Sequence, residues 1–309
     1  MEHSKINIVK DRYKTGIVIL NWNGLDDTLE CLVSIQNYCK SDDFLVVLVD
    51  NNSSESIEPL FNSKWDIPLV VIKNSENKGF AEGNNVGIEA ILKYNVDYIL
   101  LLNNDTLLLD DLLAKMTNIM FKYPNVGIAG AVNYYYSDPG KIWQAGAKVS
   151  LQTGKIKLMD INPDLEIMDM DYVPGSSLMF RSSVEAKIGA LDANFFAYSE
   201  ELDFCLRAKK EKFDVVCIPA AKILHKVGKS SPKPAKEYLR LRNKFYLFKR
   251  HSKPANFLFI SLKETFKAFI KAGIQLFKKG SIIYYSAIYY AIRDYNRKNF
   301  EKGEFERFL

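Results

Sequence analysis

Four short runs of apolar, largely β-branched residues punctuate roughly the first hundred positions of this 309-residue chain, and each stops at a turn or a polar cluster. Residues 16–22 (Gly16-Ile17-Val18-Ile19-Leu20-Asn21-Trp22) read as a buried strand closed by the Asn23-Gly24 turn; residues 44–49, 69–72 and 98–102 repeat the pattern. Helical spacing fills the gaps. Leu25, Leu29, Leu32 and Ile35 mark a helix over residues 25–38, and residues 79–94 and 110–123 form two more. Strands that alternate with helices imply an α/β fold whose mostly parallel sheet is covered on both faces.

Ligands of such sheets bind where strands end. Those ends carry Asn21-Trp22-Asn23, Asp50-Asn51-Asn52-Ser53 and Asn103-Asn104-Asp105, so a site built from strand ends is expected there. No GxGxxG follows the first strand and no GxxxxGK[ST] occurs, which argues against dinucleotide oxidoreductases and P-loop NTPases. Asp50 also has a plainer reading as a turn former. Gly79, Gly83 and Gly87 recur every four residues and strip one helix face of side chains. Close packing on the sheet is the simpler consequence, and backbone approach to a ligand is the alternative.

The second half opens less regularly. Residues 134–171 read as loops and short strands, residues 172–181 as a small-residue turn entering a strand, and residues 213–218 as a further strand. Between the last two lies Tyr198-Ser199-Glu200-Glu201-Leu202-Asp203. Three acids in four positions repel one another, so a fold that keeps them together has a proton, a cation or a substrate hydroxyl for them to hold. An acidic first helical turn is the other reading. With Ser199 as N-cap, Glu200 and Asp203 share a face while Glu201 points elsewhere.

Composition bounds the rest. Hydrophobic residues make up 48% of the chain, enough for a full core. Cys31, Cys39, Cys205 and Cys217 show no CxxC pairing and sit among apolar neighbours, so buried reduced thiols are expected. No apolar run reaches the ~18 residues of a membrane span, the best being residues 280–292, and the N-terminus has no signal-peptide core, which points to the cytoplasm. The net charge of +5 conceals an acidic body and a basic tail: residues 1–232 hold 24 Lys+Arg against 31 Asp+Glu, residues 233–309 hold 18 against 6.

The motifs together resemble bacterial family 2 glycosyltransferases, specifically the rhamnosyltransferase-like group with a GT-A fold, over roughly residues 15–250. The matching pieces are Asn21-Trp22-Asn23-Gly24, Val49-Asp50-Asn51-Asn52-Ser53, Asn77-Lys78-Gly79-Phe80-Ala81-Glu82-Gly83-Asn84-Asn85-Val86-Gly87, Leu102-Asn103-Asn104-Asp105-Thr106, Pro174-Gly175-Ser176, the acidic stretch, and His225-Lys226-Val227-Gly228. This resemblance implies a donor-binding half over about residues 15–130 and an acceptor half over about 131–250. A nucleoside-diphosphate sugar would lie across Asn21, Asn23, Asp50, Asn52, Lys78, Gly79, Asn84, Asn103 and Asn104. Asp50 would accept the ring N–H of uracil or thymine. Asp105 stands at the last acid of the family's DXD motif, with Asn103 replacing the first; with His225 it would hold Mn²⁺ or Mg²⁺ against the departing diphosphate. A carboxylate plus an imidazole suits Mn²⁺ better. Without the resemblance, His225 reads as a core or surface histidine.

Glu201 matches the family's general base, here Glu where Asp is usual, with Glu200 and Asp203 orienting acceptor and donor sugar. Arg242, in an Arg-Asn pair common to the group, would meet the diphosphate; a solvated basic helix face is its other reading. The expected activity is inverting, metal-dependent transfer from a dTDP- or UDP-sugar, with rhamnose as the best guess, to a saccharide or lipid-linked acceptor in surface polysaccharide assembly. The absence of QxxRW and of a membrane span disfavours a processive synthase. A sugar-nucleotide pyrophosphorylase would need a glycine-rich basic loop near the N-terminus, which is missing, and a non-catalytic binding module would need none of Asp105, Glu201 and His225.

Beyond Lys253 periodicity speaks alone. Phe259, Leu262, Phe266, Phe269, Ile270 and Phe277 fall on one helical face beside a Lys263, Lys267, Lys271 stripe, and Tyr284, Tyr285, Tyr289 and Tyr290 precede Arg293, Arg297 and Lys298. This tail over residues 251–309 suits an anionic bilayer, and hence a peripheral place on the inner face of the cell membrane. A helical hairpin packed on the catalytic domain or on a second subunit is the alternative. No nucleic-acid module is present.

Overall fold

The computed structural model describes residues 2–5, 10–41, 43–227 and 233–309; Gly228, the last residue of the histidine motif, lies outside them. The first half runs β1 (Glu2–Lys5), β2 (Thr15–Asn21), α1 (Leu25–Tyr38), β3 (Phe44–Asp50), α2 (Glu58–Asn62), β4 (Leu69–Lys73), α3 (Gly79–Leu92), β5 (Tyr98–Asn103), β6 (Thr106–Leu108) and α4 (Leu112–Lys122). Next come β7 (Val126–Tyr135), β8 (Asp138–Gln144), β9 (Ala147–Val149), β10 (Ile156–Leu158), β11 (Met168–Asp169), β12 (Ser177–Arg181), α5 (Ser182–Ile188), α6 (Glu200–Lys210) and β13 (Asp214–His225). Three helices close the chain: α7 (Lys233–His251), α8 (Pro254–Lys279) and α9 (Ile283–Arg297).

The four expected strands lie parallel in the order β4-β3-β2-β5. Their alternation feeds two cores: Ile17 and Ile19 of β2 pack with Leu32, Ile35 and Met116 of α1 and α4, whereas Val18 packs on the other face with Ile88 and Ile91 of α3. Beyond β5 the sheet continues with antiparallel β12, then with β7 and β13, which pair in parallel. The ten-residue β7 was not foreseen, because its glycine- and alanine-rich Val126-Gly127-Ile128-Ala129-Gly130 has little β-propensity. Strand β13 also outruns the expected residues 213–218: it passes Pro219 at a register shift and continues to His225. That extension pairs with β6, setting His225 opposite Thr106 and therefore beside Asp105.

The glycine stripe of α3 serves packing. A Cβ on Gly83 would stand 2.7 Å from Leu20, and one on Gly87 would strike Val18. Burial pushes all four cysteine thiols up to about 12, so they are inert as nucleophiles. No helix among the described residues is long and apolar enough to cross a membrane.

Candidate active site

Three strand ends and one helix start converge. The backbone N–H of Asn103, at the end of β5, donates to Ser176 O (3.1 Å), and Ser176 follows Gly175, against which the Glu201 side chain packs at the start of α6. The turn before β12 therefore bridges the Asn103-Asn104-Asp105 segment and the acidic cluster.

At the cation end, Asp105 Oδ1 lies 3.0 Å from His225 Nε2, with side-chain exposures of 20% and 8%. That oxygen has no aligned hydrogen-bond partner, and neither does His225 Nδ1. A buried carboxylate oxygen left unmatched beside an imidazole nitrogen at 3.0 Å fits two ligands sharing one divalent cation. No cluster of three or more His, Cys, Asp or Glu side chains is placed for a metal among the described residues, so the other ligands would come from substrate and water. Trp143 packs edge-on to His225 at 4.6 Å between ring centroids and fixes the imidazole.

At the carboxylate end, Glu200 is buried and Glu201 half-buried, and Oε2 of each lacks a partner. Desolvation, followed by the charge of Glu201, holds Glu200 well above the usual carboxylate range. Desolvation also raises Glu201, opposed by backbone N–H groups and by the Tyr172 hydroxyl, which donates to Oε1 at 3.2 Å. The adjacent pair thus keeps a proton to higher pH than an isolated carboxyl. Of the seven buried side-chain atoms without a hydrogen-bond partner among the described residues, four belong to Asp105, His225, Glu200 and Glu201, which marks these residues as awaiting a ligand.

The helix is not started as expected. Ser199 makes no side-chain cap; it adopts φ +82°, and Phe196 and Tyr198 are also left-handed at φ +62° and +73°. Three such residues in four positions store strain that neighbouring groups must hold. The Asn243 amide does so, donating to the carbonyls of Phe195, Ala197 and Tyr198 at 2.8 Å each. Arg242 belongs to the same brace. Expected at the diphosphate, it is instead fully buried, with its guanidinium on Asn243 Oδ1 (3.0 Å) and on Phe195 O (3.1 Å), leaving no face for phosphate.

Other expected contacts also resolve into scaffold. Asp203, expected to orient substrate, shares a buried helix face with Glu200 but has both oxygens held by the scaffold: Oδ2 by Arg207 Nε (2.6 Å) and Oδ1 by His251 Nε2 (2.7 Å). Asn84 is buried and its amide donates to Phe80 O of its own helix (2.8 Å). Gly79 has φ +77°, and a Cβ there would stand 2.5 Å from Phe196 O, so it faces the brace rather than a ligand. Gly79→Ala is expected to cost about 1–3 kcal/mol in thermal or denaturant unfolding.

At the donor edge, Asp50 is buried, with Oδ1 taking Asn21 Nδ2 (2.9 Å) and Oδ2 the Ser53 N–H (3.3 Å). Asn104 Nδ2 ties β5 to α1 through Gly24 O (3.1 Å) and Thr28 Oγ1 (3.0 Å). Asn23 (φ +53°) and Asn52 (φ +62°) are exposed loop residues, Asn23 Oδ1 accepting from Ser54. Lys78 sits half-buried immediately before α3. Tyr172 and Trp143 escaped the sequence reading, because lone aromatics in irregular segments carry no periodic signal.

The model of the family described as "Glycosyl transferase family 2" matches residues 16–187, more than half of the chain. The low-salt glycan biosynthesis hexosyltransferase Agl10 of Haloferax volcanii is 29% identical over 210 residues, 65% of this chain and 63% of that protein, so the match spans less than two thirds of that relative. The dTDP-rhamnosyl transferase RfbF of Shigella flexneri is 23% identical over 257 residues, 80% of this chain and 83% of that protein. Among solved structures, the mannosyltransferase PcManGT of Pyrobaculum calidifontis, in complex with GDP-Man and Mn²⁺, superposes with a TM-score of 0.58 at 14% identity, over 93% of this chain and 88% of that one. The sheet order and this likeness agree on a GT-A-like fold, and the chain belongs to glycosyl transferase family 2.

Proposed function

We propose that the chain is an inverting glycosyltransferase that moves a hexose, with L-rhamnose as the specific reading, from a dTDP- or UDP-sugar to a saccharide carried on a lipid, working as a peripheral protein on the inner face of the cell membrane. The observation that carries it is that Glu201 Oε2, Asp105 Oδ1 and His225 Nδ1 are all buried without a hydrogen-bond partner, on segments linked through the turn before β12. The rhamnose reading draws on the similarity to RfbF.

Glu201 takes the acceptor hydroxyl proton on Oε2 as the acceptor oxygen attacks the anomeric carbon from the face opposite the leaving group. The bond from that carbon to the diphosphate oxygen breaks, and the centre inverts. Tyr172 holds the Oε1 edge, leaving Oε2 for the proton. Asp105 and His225 would hold a divalent cation, which would neutralise charge at the departing diphosphate. Asp50 has used two of the carboxylate's ~4 acceptor positions within the protein, which leaves capacity for a pyrimidine N–H.

A thermal-shift panel of UDP, dTDP, GDP and CMP, each with and without Mn²⁺, tests the donor site. At a hundred times Kd a ligand stabilises by about 2.7 kcal/mol, a shift of several degrees. Stabilisation by dTDP or UDP that needs Mn²⁺ and disappears in Asp105→Asn is expected. The same shift with or without Mn²⁺ would remove the cation from the donor site.

A further inference from the structure

The amphipathic helix α8 is mounted with its apolar side outward. Leu262, Phe266, Phe269, Ile274 and Phe277 are exposed by 65%, 66%, 46%, 48% and 93%, whereas Ile260, Glu264 and Ala272 face inward with exposures of 1%, 7% and 1%. Its inner face meets α7 through apolar packing and ion pairs together: Ile260 clusters with Leu247 and Phe248, Glu264 accepts from Lys244 (2.7 Å), and Lys271 donates to Glu237 (2.5 Å). Ile282, 71% exposed just before α9, adds to the apolar ridge near Phe277 in sequence. A row of phenylalanines left in water on a helix of 26 residues is a strong sign of a partner surface.

We propose that this outward face of α8 docks the protein on an anionic lipid bilayer, with the helix lying in the interface plane. Charge selects the occupant. Lys263, Lys267, Lys271 and Lys278 fall along one border of the apolar ridge by helical spacing, and residues 233–309 carry 18 Lys+Arg against 6 Asp+Glu. Lys267 and Lys271 are 62% and 53% exposed and also line a cavity of about 300 Å³ between α7, α8 and α9, where with Arg240 and Lys244 they outnumber Glu237 and Glu264 four to two. A second copy would bring the same positive surface against itself, whereas acidic headgroups complement it. Arg240 of this lining also stacks on Tyr198, 5.3 Å from the ring centroid, two residues before Glu200 in sequence. Docking through α8 rests on this geometry alone and stands whichever sugar is transferred.

Flotation with vesicles of phosphatidylglycerol and phosphatidylcholine, against phosphatidylcholine alone, tests it, with light scattering for mass in solution. The full chain is expected to float with the anionic vesicles and to be released by high salt. Replacing the exposed Leu262, Phe266 and Phe277 together by Ser is expected to weaken partitioning at least ~10-fold without altering the melting temperature. Lys267→Glu with Lys278→Glu is expected to cost about 5-fold per lysine removed, on anionic vesicles only. No flotation, or flotation unchanged in the triple variant, overturns the proposal. So does a solution dimer that the triple variant dissolves, which would make a second copy the occupant.

Discussion

Glu201→Gln is expected to lower turnover by roughly 10² to 10⁴ while leaving nucleotide-diphosphate affinity within about twofold. The amide keeps the volume and still accepts from Tyr172, but it has no basic oxygen for the acceptor proton. Lost transition-state stabilisation of this kind appears in kcat and hardly in donor binding. The variant separates roles that look alike in sequence: Glu200→Gln removes the buried carboxyl whose proton affinity the Glu201 charge raises, and is expected to shift the pH profile more than the maximal rate. The sign follows from the burial of both groups. Their folded-state affinities for protons are raised, so kcat increases as pH rises and the pair releases the proton it holds. Stability moves the opposite way. Protons held more tightly in the folded state make stability fall as pH climbs from the ordinary carboxylate range to the raised one, and either Gln variant is expected to flatten that fall.

Asp203→Ala is expected to be a folding lesion, costing about 3–5 kcal/mol and lowering Tm by roughly 5–10 °C. Asp203 is fully buried between Arg207 and His251, with the half-exposed Arg250 at 3.6 Å. Burial alone would raise its pKa, but the His251 hydrogen bond and the Arg207 charge outweigh it and hold the carboxyl below the ordinary range. Its stabilising contribution is therefore complete above the unfolded-state pKa and is lost as pH falls through the folded one. Differential scanning calorimetry from pH 7 into the acid range checks this, with the wild type losing stability that the variant never had. Asp203 locks α6 to the end of α7 with both carboxylate oxygens held by Arg207 and His251, so kcat per folded molecule is expected to stay within a few-fold. A drop of 10² or more in folded Asp203→Asn would return the residue to the chemistry.

The first half of the chain was legible because its signals are local. Continuous β-branched apolar runs and the period-3.6 pattern place β2, α1, β3, β4 and β5 within about two residues of their ends, and the strand-end rule points to the Asn103-Asn104-Asp105 segment. Misreadings gathered where one residue type serves two physical roles. Arg242 and Asp203 look like ligands in a string of letters; only their burial against carbonyls and counter-ions shows that they brace the chain. Asn243 gave no sign of its task, since its partners are carbonyls from a segment almost fifty positions upstream with a backbone no propensity would suggest. For the tail, periodicity identified the amphipathic face of α8 but left its direction open, because a helix packs with its polar side inward only when ion pairs such as Lys244–Glu264 await it.

The most direct measurement is the release of nucleoside diphosphate from dTDP-rhamnose and from UDP-hexoses, followed by chromatography with Mn²⁺ present, for the wild type beside Glu201→Gln and Asp105→Asn. Release by the wild type, cut at least ~100-fold by Glu201→Gln and abolished by Asp105→Asn, is the expected result. Equal release by wild type and Glu201→Gln would contradict a proton-accepting role for this carboxylate. No release from any donor by a folded wild type that binds the nucleotides would leave a binding module in place of a transferase.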